Sequence, residues 1–166
     1  MGWTRAAPFS ARLEGCWRSN GKLYFHSTNG GDAGVGQIWI YDPRVETITL
    51  MFESSGIHVL DSPDNMAVSP RGGLVICEDG GGAQYLRGVS PSGEIFDFAR
   101  NTHSAVEFAG ACFSPDGQTL FVNIYGRSSV RTLQPYKSPL QFPVGPEKSE
   151  KALTLAIWGP WGTGLL

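Results

Sequence analysis

The sequence predicts an all-β protein, and three observations lead to this prediction. The 166 residues include 22 glycines and 11 prolines, and 11% of the residues are aromatic, a composition typical of short strands joined by tight turns. Apolar runs of strand length alternate with turn signals such as Asn20-Gly21 and the SPSG segment at 90–93. No stretch of the sequence has the periodicity of an amphipathic helix.

The charge and the apolar runs exclude several classes of partner. Charged residues make up 17% of the chain and the formal net charge is −2, so no basic surface for nucleic acid is expected. No apolar run has the length of a membrane span, and no membrane partner is predicted. Residues 1–15 lack the apolar segment of a secretory signal, so this chain is predicted to carry no signal peptide.

The order of the predicted strands gives similar units along the chain. Each strand is an apolar run bounded by Gly, Pro, Asn or Asp residues. The first unit contains strands at 13–17, 22–28, 36–41 and 47–52. The second contains strands at 66–68, 74–77, 85–89 and 94–98, and the third contains strands at 111–113, 119–124 and 153–158.

These units align with one another as a repeat. Placing Leu23, Leu74 and Leu120 at equivalent positions gives spacings of 51 and 46 residues. Four-stranded units that repeat every roughly 40–50 residues are typical of the blades of a β-propeller. The alignment makes a further set of residues equivalent in the first strand of each unit: Trp17, Val68 and Phe113.

The predicted domain is a partial propeller. Residues 1–10 are interpreted as a tail and residues 11–166 as the domain, with blades at approximately 11–55, 60–100 and 106–161. The segment 127–151, which contains four prolines, is interpreted as an insertion in the third blade. About three blades are too few to close a propeller, so the sequence favours a fragment of a larger ring.

Acidic and amide side chains lie at the predicted strand ends. Residues 60–80 are predicted to form a hairpin whose far end carries Asp64 and Asn65 on one strand and Glu78 and Asp79 on the other. Glu14 and Glu107 lie near the equivalent ends of the other two blades. Oxygen ligands that converge from several blades suit Ca²⁺, which takes roughly six to eight of them. Alternatively, these side chains cap turns, and both interpretations stay open at this point.

The three cysteines show no metal-ligand spacing. Cys16, Cys77 and Cys112 all fall within apolar strand patterns, which favours buried and unreactive thiols.

Several motifs together resemble one known family. They are RLEGCW at 12–17, LDSPDN at 60–65, SPRGGLVICEDG at 69–80, EFAGACFSPDGQTLFVN at 107–123 and AIWGPW at 156–161. In this order they resemble the C-terminal part of PhoX-type bacterial alkaline phosphatases.

The resemblance implies a six-bladed propeller and a phosphatase that needs Ca²⁺ and Fe³⁺ and acts on small-molecule phosphate monoesters. It also implies export of the parent protein to the periplasm or beyond. The RLEG motif suggests Glu14 as a metal ligand and Arg12 as a second catalytic residue near the metals. The remaining candidates for metal ligands are Asp64, Asn65, Glu78, Asp79 and Glu107.

Other interpretations remain at the level of sequence. The N-terminal half of the family is missing from this chain, so the chain is expected to be inactive alone unless it associates with such a half or with itself. A calcium-dependent propeller hydrolase of the lactonase type would use similar ligands. A propeller without a metal that serves as an interaction module is the alternative outside enzymes.

Overall fold

The computed structural model of the chain describes residues 12–102, 104–126, 152–161, 163, 164 and 166. Every regular element within these ranges is a β-strand, and the strands form three antiparallel sheets. This confirms the all-β prediction. Among the same residues there is no helix that is long and apolar enough to cross a membrane.

Sheet 1 is a four-stranded meander in the order β1-β2-β3-β4. Asn20 and Gly21 join its first two strands with φ angles of 50° and 75°, the conformation that favours this dipeptide in tight hairpin turns. The strands are β1 (Leu13–Ser19), β2 (Lys22–Ser27), β3 (Gln37–Asp42) and β4 (Thr47–Glu53).

Sheet 2 has the same order and is the most buried of the three. The turn between its first two strands is closed by Ser69, whose hydroxyl accepts hydrogen bonds from the backbone N–H groups of Arg71 and Gly73. The strands are β5 (Pro63–Val68), β6 (Leu74–Glu78), β7 (Tyr85–Val89) and β8 (Ile95–Arg100).

Sheet 3 contains three strands among the described residues, in the order β11-β10-β9. Its first two strands are joined by the predicted SPDG turn, in which Gly117 has a φ of 68°. The strands are β9 (Phe108–Phe113), β10 (Thr119–Ile124) and β11 (Leu153–Trp158).

The first strands of the three sheets lie beside one another, β1 next to β5 and β5 next to β9. Two side-chain hydrogen bonds link neighbouring sheets near these strands. The hydroxyl of Thr28 donates to the carbonyl oxygen of Pro63 at 2.7 Å, and the Oδ1 of Asn65 accepts from the N–H of Ala111 at 2.8 Å. Both bonds join residues that are distant in sequence, so they fix neighbouring sheets relative to each other.

Two apolar cores fill the spaces between successive sheets. The core between sheets 1 and 2 includes Ile38, Met66 and Ile76. The core between sheets 2 and 3 includes Val75, Leu120 and Trp161. The ring of Trp161 packs at 5.3 Å from that of Phe113, measured between ring centroids.

The first strand of every sheet contains a β-bulge. The pairing of β1 with β2 is irregular between Leu13 and Cys16, and that of β5 with β6 between Pro63 and Asn65. The pairing of β9 with β10 shifts opposite Val122. Bulges bend a strand and redirect its side chains, and Glu14 and Asp64 lie at two of them.

The register corrects one part of the predicted repeat. Leu74 pairs with Val68 and Leu120 pairs with Phe113, as the alignment requires, whereas Leu23 pairs with Arg18. The equivalence of Trp17 with Val68 is therefore wrong by one residue. The alignment matched apolar residues, but the position equivalent to Val68 lies on an exposed face of sheet 1, where Arg18 is tolerated.

The predicted burial of the three thiols is only partly correct. Cys77 is buried and Cys112 is half-buried, but Cys16 is exposed. Its strand, β1, has a half-buried face and an exposed face, and Cys16 lies on the exposed one.

The propeller and its boundaries remain predictions. The described residues do not form a closed ring of sheets. The tail at 1–10 and the insertion at 127–151 lie outside the described residues.

Gly15 provides a test of how the bulge in β1 is packed. A Cβ at this position would overlap with the Nε2 of His26 and lie 3.0 Å from the backbone nitrogen of Met66. Gly15→Ala is expected to destabilise the protein by about 1–3 kcal/mol, because a well-packed site has no room for the methyl group. Urea unfolding at neutral pH measures this change.

Gly56→Ala is the matched control, because a Cβ at Gly56 meets no atom within 4 Å. We expect its effect to be small or slightly stabilising. Equal stability of the two variants would contradict the close contact between Gly15 and His26.

Candidate functional site

Four carboxyl groups meet where the first strands of the sheets come together: those of Glu14, Asp64, Asp79 and Glu107. Glu14 and Asp64 lie at the bulges of β1 and β5, Asp79 follows β6, and Glu107 precedes β9. The carboxyl groups of Glu14 and Asp64 share a hydrogen bond, and so do those of Asp79 and Glu107. We call these four residues the acidic cluster.

The two carboxyl groups of the Glu14–Asp64 pair have pKa values shifted in opposite directions. Its hydrogen bond with Asp64, together with that from Arg12, lowers the pKa of Glu14. The same bond with Glu14 and partial burial raise the pKa of Asp64 to about 6. Below about pH 6, Asp64 therefore holds the proton while Glu14 carries the charge.

Arg12 holds the charged member of this pair. Its Nη2 lies 2.6 Å and its Nε 3.0 Å from the Oε1 of Glu14. The backbone of Arg12 has a φ of 53°, an uncommon conformation for a residue with a side chain, and its carbonyl oxygen accepts from the N–H of Thr28. Arg12 and Glu14 are exposed, so a ligand can reach both.

The Asp79–Glu107 pair has the second shared proton. Burial raises the pKa of Glu107 to about 7, and the hydrogen bond with Asp79 and the negative charges of Asp79, Asp64 and Glu14 add to this effect. Asp79 itself is exposed. The acidic cluster thus contains two carboxyl groups that keep protons well above the pH at which isolated carboxyls lose them.

Two predicted ligands point away from the acidic cluster. The Oδ1 of Asn65 accepts the hydrogen bond from β9 described above. Glu78 is 1% exposed, and its Oε1 accepts from the Nε of Arg87 at 2.7 Å and from the N–H of Asp61 at 2.8 Å. The structure therefore unites Glu14, Asp64, Asp79 and Glu107, and it gives Asn65 and Glu78 structural partners.

The partner of Glu78 is a residue that the sequence analysis missed. Arg87 is 4% exposed and also pairs with Asp97. Burial raises the pKa of Glu78, against the effect of Arg87. A buried ion pair of this kind needs a cation on the next strand, and an isolated Arg in the apolar segment 85–89 is the sequence signal that would have indicated it.

His26 is the second residue that the sequence analysis passed over. It is fully buried opposite the bulge in β1, and neither ring nitrogen has a hydrogen-bond partner in the described part of the chain. Burial lowers its pKa to about 4, and only the nearby charge of Glu14 opposes this. His26 is therefore a neutral side chain that packs beneath Gly15.

The donor set of the acidic cluster suits a hard cation. Carboxylate oxygens are the ligands that Ca²⁺ prefers, and crowded carboxylates must otherwise share protons. However, no three His, Cys, Asp or Glu side chains of the described ranges are arranged so that they could hold a metal ion. The oxygen donors therefore fit calcium by their chemistry, while their present arrangement is that of two proton-sharing pairs.

The buried thiol that feels the charges of Asp64 and Glu107 does not fit an iron ligand. Cys77 is buried, and desolvation raises the pKa of its thiol to about 12. Metals bind the thiolate, which this environment disfavours. Cys77 therefore does not suit an iron ligand, and iron stays a prediction.

The described part of the chain is all-β, and its candidate site combines an arginine–carboxylate pair with further carboxyl groups. These groups suit the binding of metal ions or anions. Comparison with known families identifies the family of the chain. Residues 4–127 match the family model described as alkaline phosphatase PhoX. The match covers more than half of the 166 residues, and the chain belongs to this family.

This confirms the resemblance to the family drawn from the motifs between residues 12 and 123, while the AIWGPW motif at 156–161 lies outside the matched range. The matched range contains Arg12 and all four members of the acidic cluster. A comparison with curated proteins finds no significant match.

Glu107→Gln tests the shared proton of the Asp79–Glu107 pair through the pH dependence of stability. The raised pKa means that folded Glu107 keeps a proton that the unfolded chain has already released. This contribution to stability is complete below the unfolded pKa and is lost as the pH rises through about 7. Gln keeps a hydrogen-bond donor at every pH, so the variant should gain stability relative to the wild type between pH 5 and pH 8.

We expect a relative gain on the order of 1 kcal/mol, since solvent reduces the effect at a partly exposed pair. Urea unfolding of both proteins in the presence of a chelator measures it. Comparison with the wild type cancels the opposite contribution of His26. The exposed Glu94 offers the control variant Glu94→Gln, and a pH-independent difference between Glu107→Gln and the wild type would contradict the shared proton.

Proposed function

We propose that the chain is part of a metal-dependent phosphatase that hydrolyses small-molecule phosphate monoesters. The observation that carries this proposal is the position of the acidic cluster. Arg12 and four carboxyl groups from three sheets meet within the range that matches the alkaline phosphatase family. Membership of the family supports a phosphatase, and the cluster supports the metal-dependent class.

The proposed calcium ligands are Glu14, Asp64, Asp79 and Glu107. Binding of a cation would require Asp64 and Glu107 to release the protons that they share with their neighbours, so the affinity should rise with pH. A bound cation supplies charge stabilisation for phosphoryl oxygens and lowers the pKa of coordinated water. Asn65 is proposed to support this site through its contact between sheets 2 and 3. Glu78 is proposed to support it through its contacts with Arg87 and Asp61, which lie within or next to sheet 2.

Arg12 is proposed to bind the phosphate group. A guanidinium can donate two parallel hydrogen bonds to phosphate oxygens. The Nε and Nη2 of Arg12 both donate to one oxygen of Glu14, Oε1, at the exposed edge of the cluster. When a cation neutralises Glu14, the guanidinium becomes available to a substrate anion. No such role is proposed for Arg87, which is buried with Glu78 and Asp97.

The finer features expected of the parent protein belong to the same proposal. We propose that the three sheets are blades of a propeller whose first strands line the central axis, and the contacts of β1, β5 and β9 support this. Iron as a second metal and a periplasmic or secreted location are proposed on the family resemblance alone.

The first test is calcium binding and hydrolysis of p-nitrophenyl phosphate by the purified chain, with added Ca²⁺ and with chelator. We expect calcium binding by calorimetry that strengthens between pH 6 and pH 8. If the chain completes its site by associating with itself, we also expect turnover that the chelator abolishes. Glu14→Gln should weaken calcium binding and reduce turnover by about 100-fold or more, the size of effect seen when a charge-stabilising group is removed. The circular dichroism of the β-sheets should be unchanged.

Glu94→Gln, at an exposed residue outside the acidic cluster, is the matched control and should retain both properties. If neither Ca²⁺ binding nor turnover depends on Glu14, the metal site is not at the acidic cluster. Absence of calcium binding in every protein would favour an interaction module without a metal.

A further inference from the structure

Each sheet has two different faces, and the sheets of this chain are stacked in the same orientation. At both interfaces one kind of face therefore meets the other kind. Sheet 2 packs on sheet 1 with the face that contains Leu74 and Ile76. Sheet 3 packs on sheet 2 with the face that contains Leu120 and Val122. The register makes Leu74 equivalent to Leu120, and Ile76 equivalent to Val122. We call this the leading face of a sheet.

The opposite face, which we call the trailing face, is also equivalent from sheet to sheet. Sheet 1 contacts sheet 2 through Tyr24 and its neighbours, and sheet 2 contacts sheet 3 through Val75 and its neighbours. Tyr24 and Val75 each follow the equivalent leucine by one residue. Both interfaces within the chain therefore bring a trailing face against a leading face.

The leading face of sheet 1 has no sheet against it among the described residues. It contains Leu23 and Phe25, which the register makes equivalent to Leu74 and Ile76. On β4 the same face contains Ile48 and Leu50, which are 53% and 41% exposed. Leu74 in sheet 2 and Leu120 in sheet 3, which are equivalent to Leu23, are fully buried.

The trailing face of sheet 3 is open in the same way. Phe121 is equivalent to Tyr24 and Val75 and is 38% exposed. Trp158 on β11 lies opposite Thr119 of β10 and therefore on the same face as Phe121. It is 75% exposed.

The described part of the chain thus has two apolar faces that no sheet covers, one of each kind. The face of sheet 1 is exposed at Ile48 and Leu50, whereas Trp39 on the same face is 8% exposed.

We propose that a second copy of this chain occupies these faces, with the trailing face of sheet 3 of one copy packed on the leading face of sheet 1 of the other. The interfaces within the chain are made of the same two faces, so the proposed contact continues an arrangement that the chain already contains. A copy carries both faces and can satisfy both at once. Contacts between neighbouring sheets are concentrated at their first strands, so head-to-tail association curves toward that side and forms a ring where the rotation closes.

This pairing has a consequence for the acidic cluster. Glu14 on β1 lies on the first strand of sheet 1, and Glu107 lies just before the first strand of sheet 3. Head-to-tail pairing places the acidic cluster of the second copy at the same end of the shared ring. The dimer is proposed independently of the phosphatase activity, and its test measures only mass and fold.

The mass of the purified chain in solution tests the proposal directly. Light scattering coupled to size-exclusion chromatography should give twice the chain mass of 17.9 kDa. Leu50→Asp on the leading face and Phe121→Asp on the trailing face should each halve the measured mass, because a charge cannot be buried in an apolar interface. Val45→Asp is the matched control, since Val45 is 64% exposed in the turn between β3 and β4, and it should leave the mass unchanged.

Mixing the two variants distinguishes this arrangement from a symmetric one. The Leu50→Asp chain keeps its trailing face and the Phe121→Asp chain keeps its leading face, so the mixture should regain the double mass through one intact interface. If identical faces paired instead, one variant would remain dimeric alone and mixing would restore nothing. Circular dichroism shows that each variant is folded.

A wild-type chain that is monomeric at about 50 μM, a concentration at which an affinity of about 1 μM gives mostly dimer, would overturn the proposal. So would a dimer that both aspartate variants leave intact. Trp158→Ser supplies a second variant of the trailing face, should Phe121→Asp fail to fold, and it is expected to halve the mass as well.

Discussion

The contact between the first strands of successive sheets is the constraint on which the rest of the structure depends. A four-stranded antiparallel sheet with two apolar faces cannot exist alone in water, because both faces must be covered. Packing β1 beside β5 and β5 beside β9 covers the inner faces and sets the angle between sheets. The hydrogen bond from Ala111 to Asn65 fixes the position of β9 along β5. Together with the apolar core between sheets 2 and 3, it holds the segment with Glu107 against the residues that follow β6.

This constraint also creates the electrostatic conflict of the site. Strands that approach at their bulged ends bring Glu14 and Asp64 together, and the segments around them add Asp79 and Glu107. Carboxylates at hydrogen-bond distance repel when both are ionised. The molecule relieves the repulsion with two shared protons and with the guanidinium of Arg12. A cation would relieve it in another way, so the same crowding that costs stability near neutral pH is the source of affinity for a positive ion.

Most of the fold could be predicted from the sequence, since turns and apolar runs define the strands. Predicted and observed boundaries agree for Tyr85–Val89, Thr119–Ile124 and Leu153–Trp158. The predicted starts of β5 and β9 are three residues late, because Pro63–Asn65 and Phe108–Gly110 contain bulges whose polar or glycine residues interrupt the alternation. The error in aligning Trp17 has a related cause: hydrophobicity identifies a strand but does not determine its register.

The candidate site could be predicted only in part. The ends of the hairpin at 60–80 do lie side by side, with Pro63 opposite Glu78, as the sequence indicates. Period-two alternation then sends the side chain of Glu78 away from that of Asp79, and Arg87 on a neighbouring strand receives it. Such a contact depends on which strands become neighbours and on which face each residue takes. It therefore emerges only when the sheets are assembled.

The unequal burial of the strands has a dynamic consequence for the acidic cluster. All five residues of β6 are buried, whereas β1 alternates between exposed and half-buried residues and pairs with one neighbour only. Backbone amides in β6 should therefore exchange with solvent deuterium only on global unfolding, and those of β1 through local opening. Asp64 and Asp79 flank the slowly exchanging core, while Arg12 and Glu14 belong to the labile edge. The site thus combines a rigid half with a half that can open and close on its own timescale.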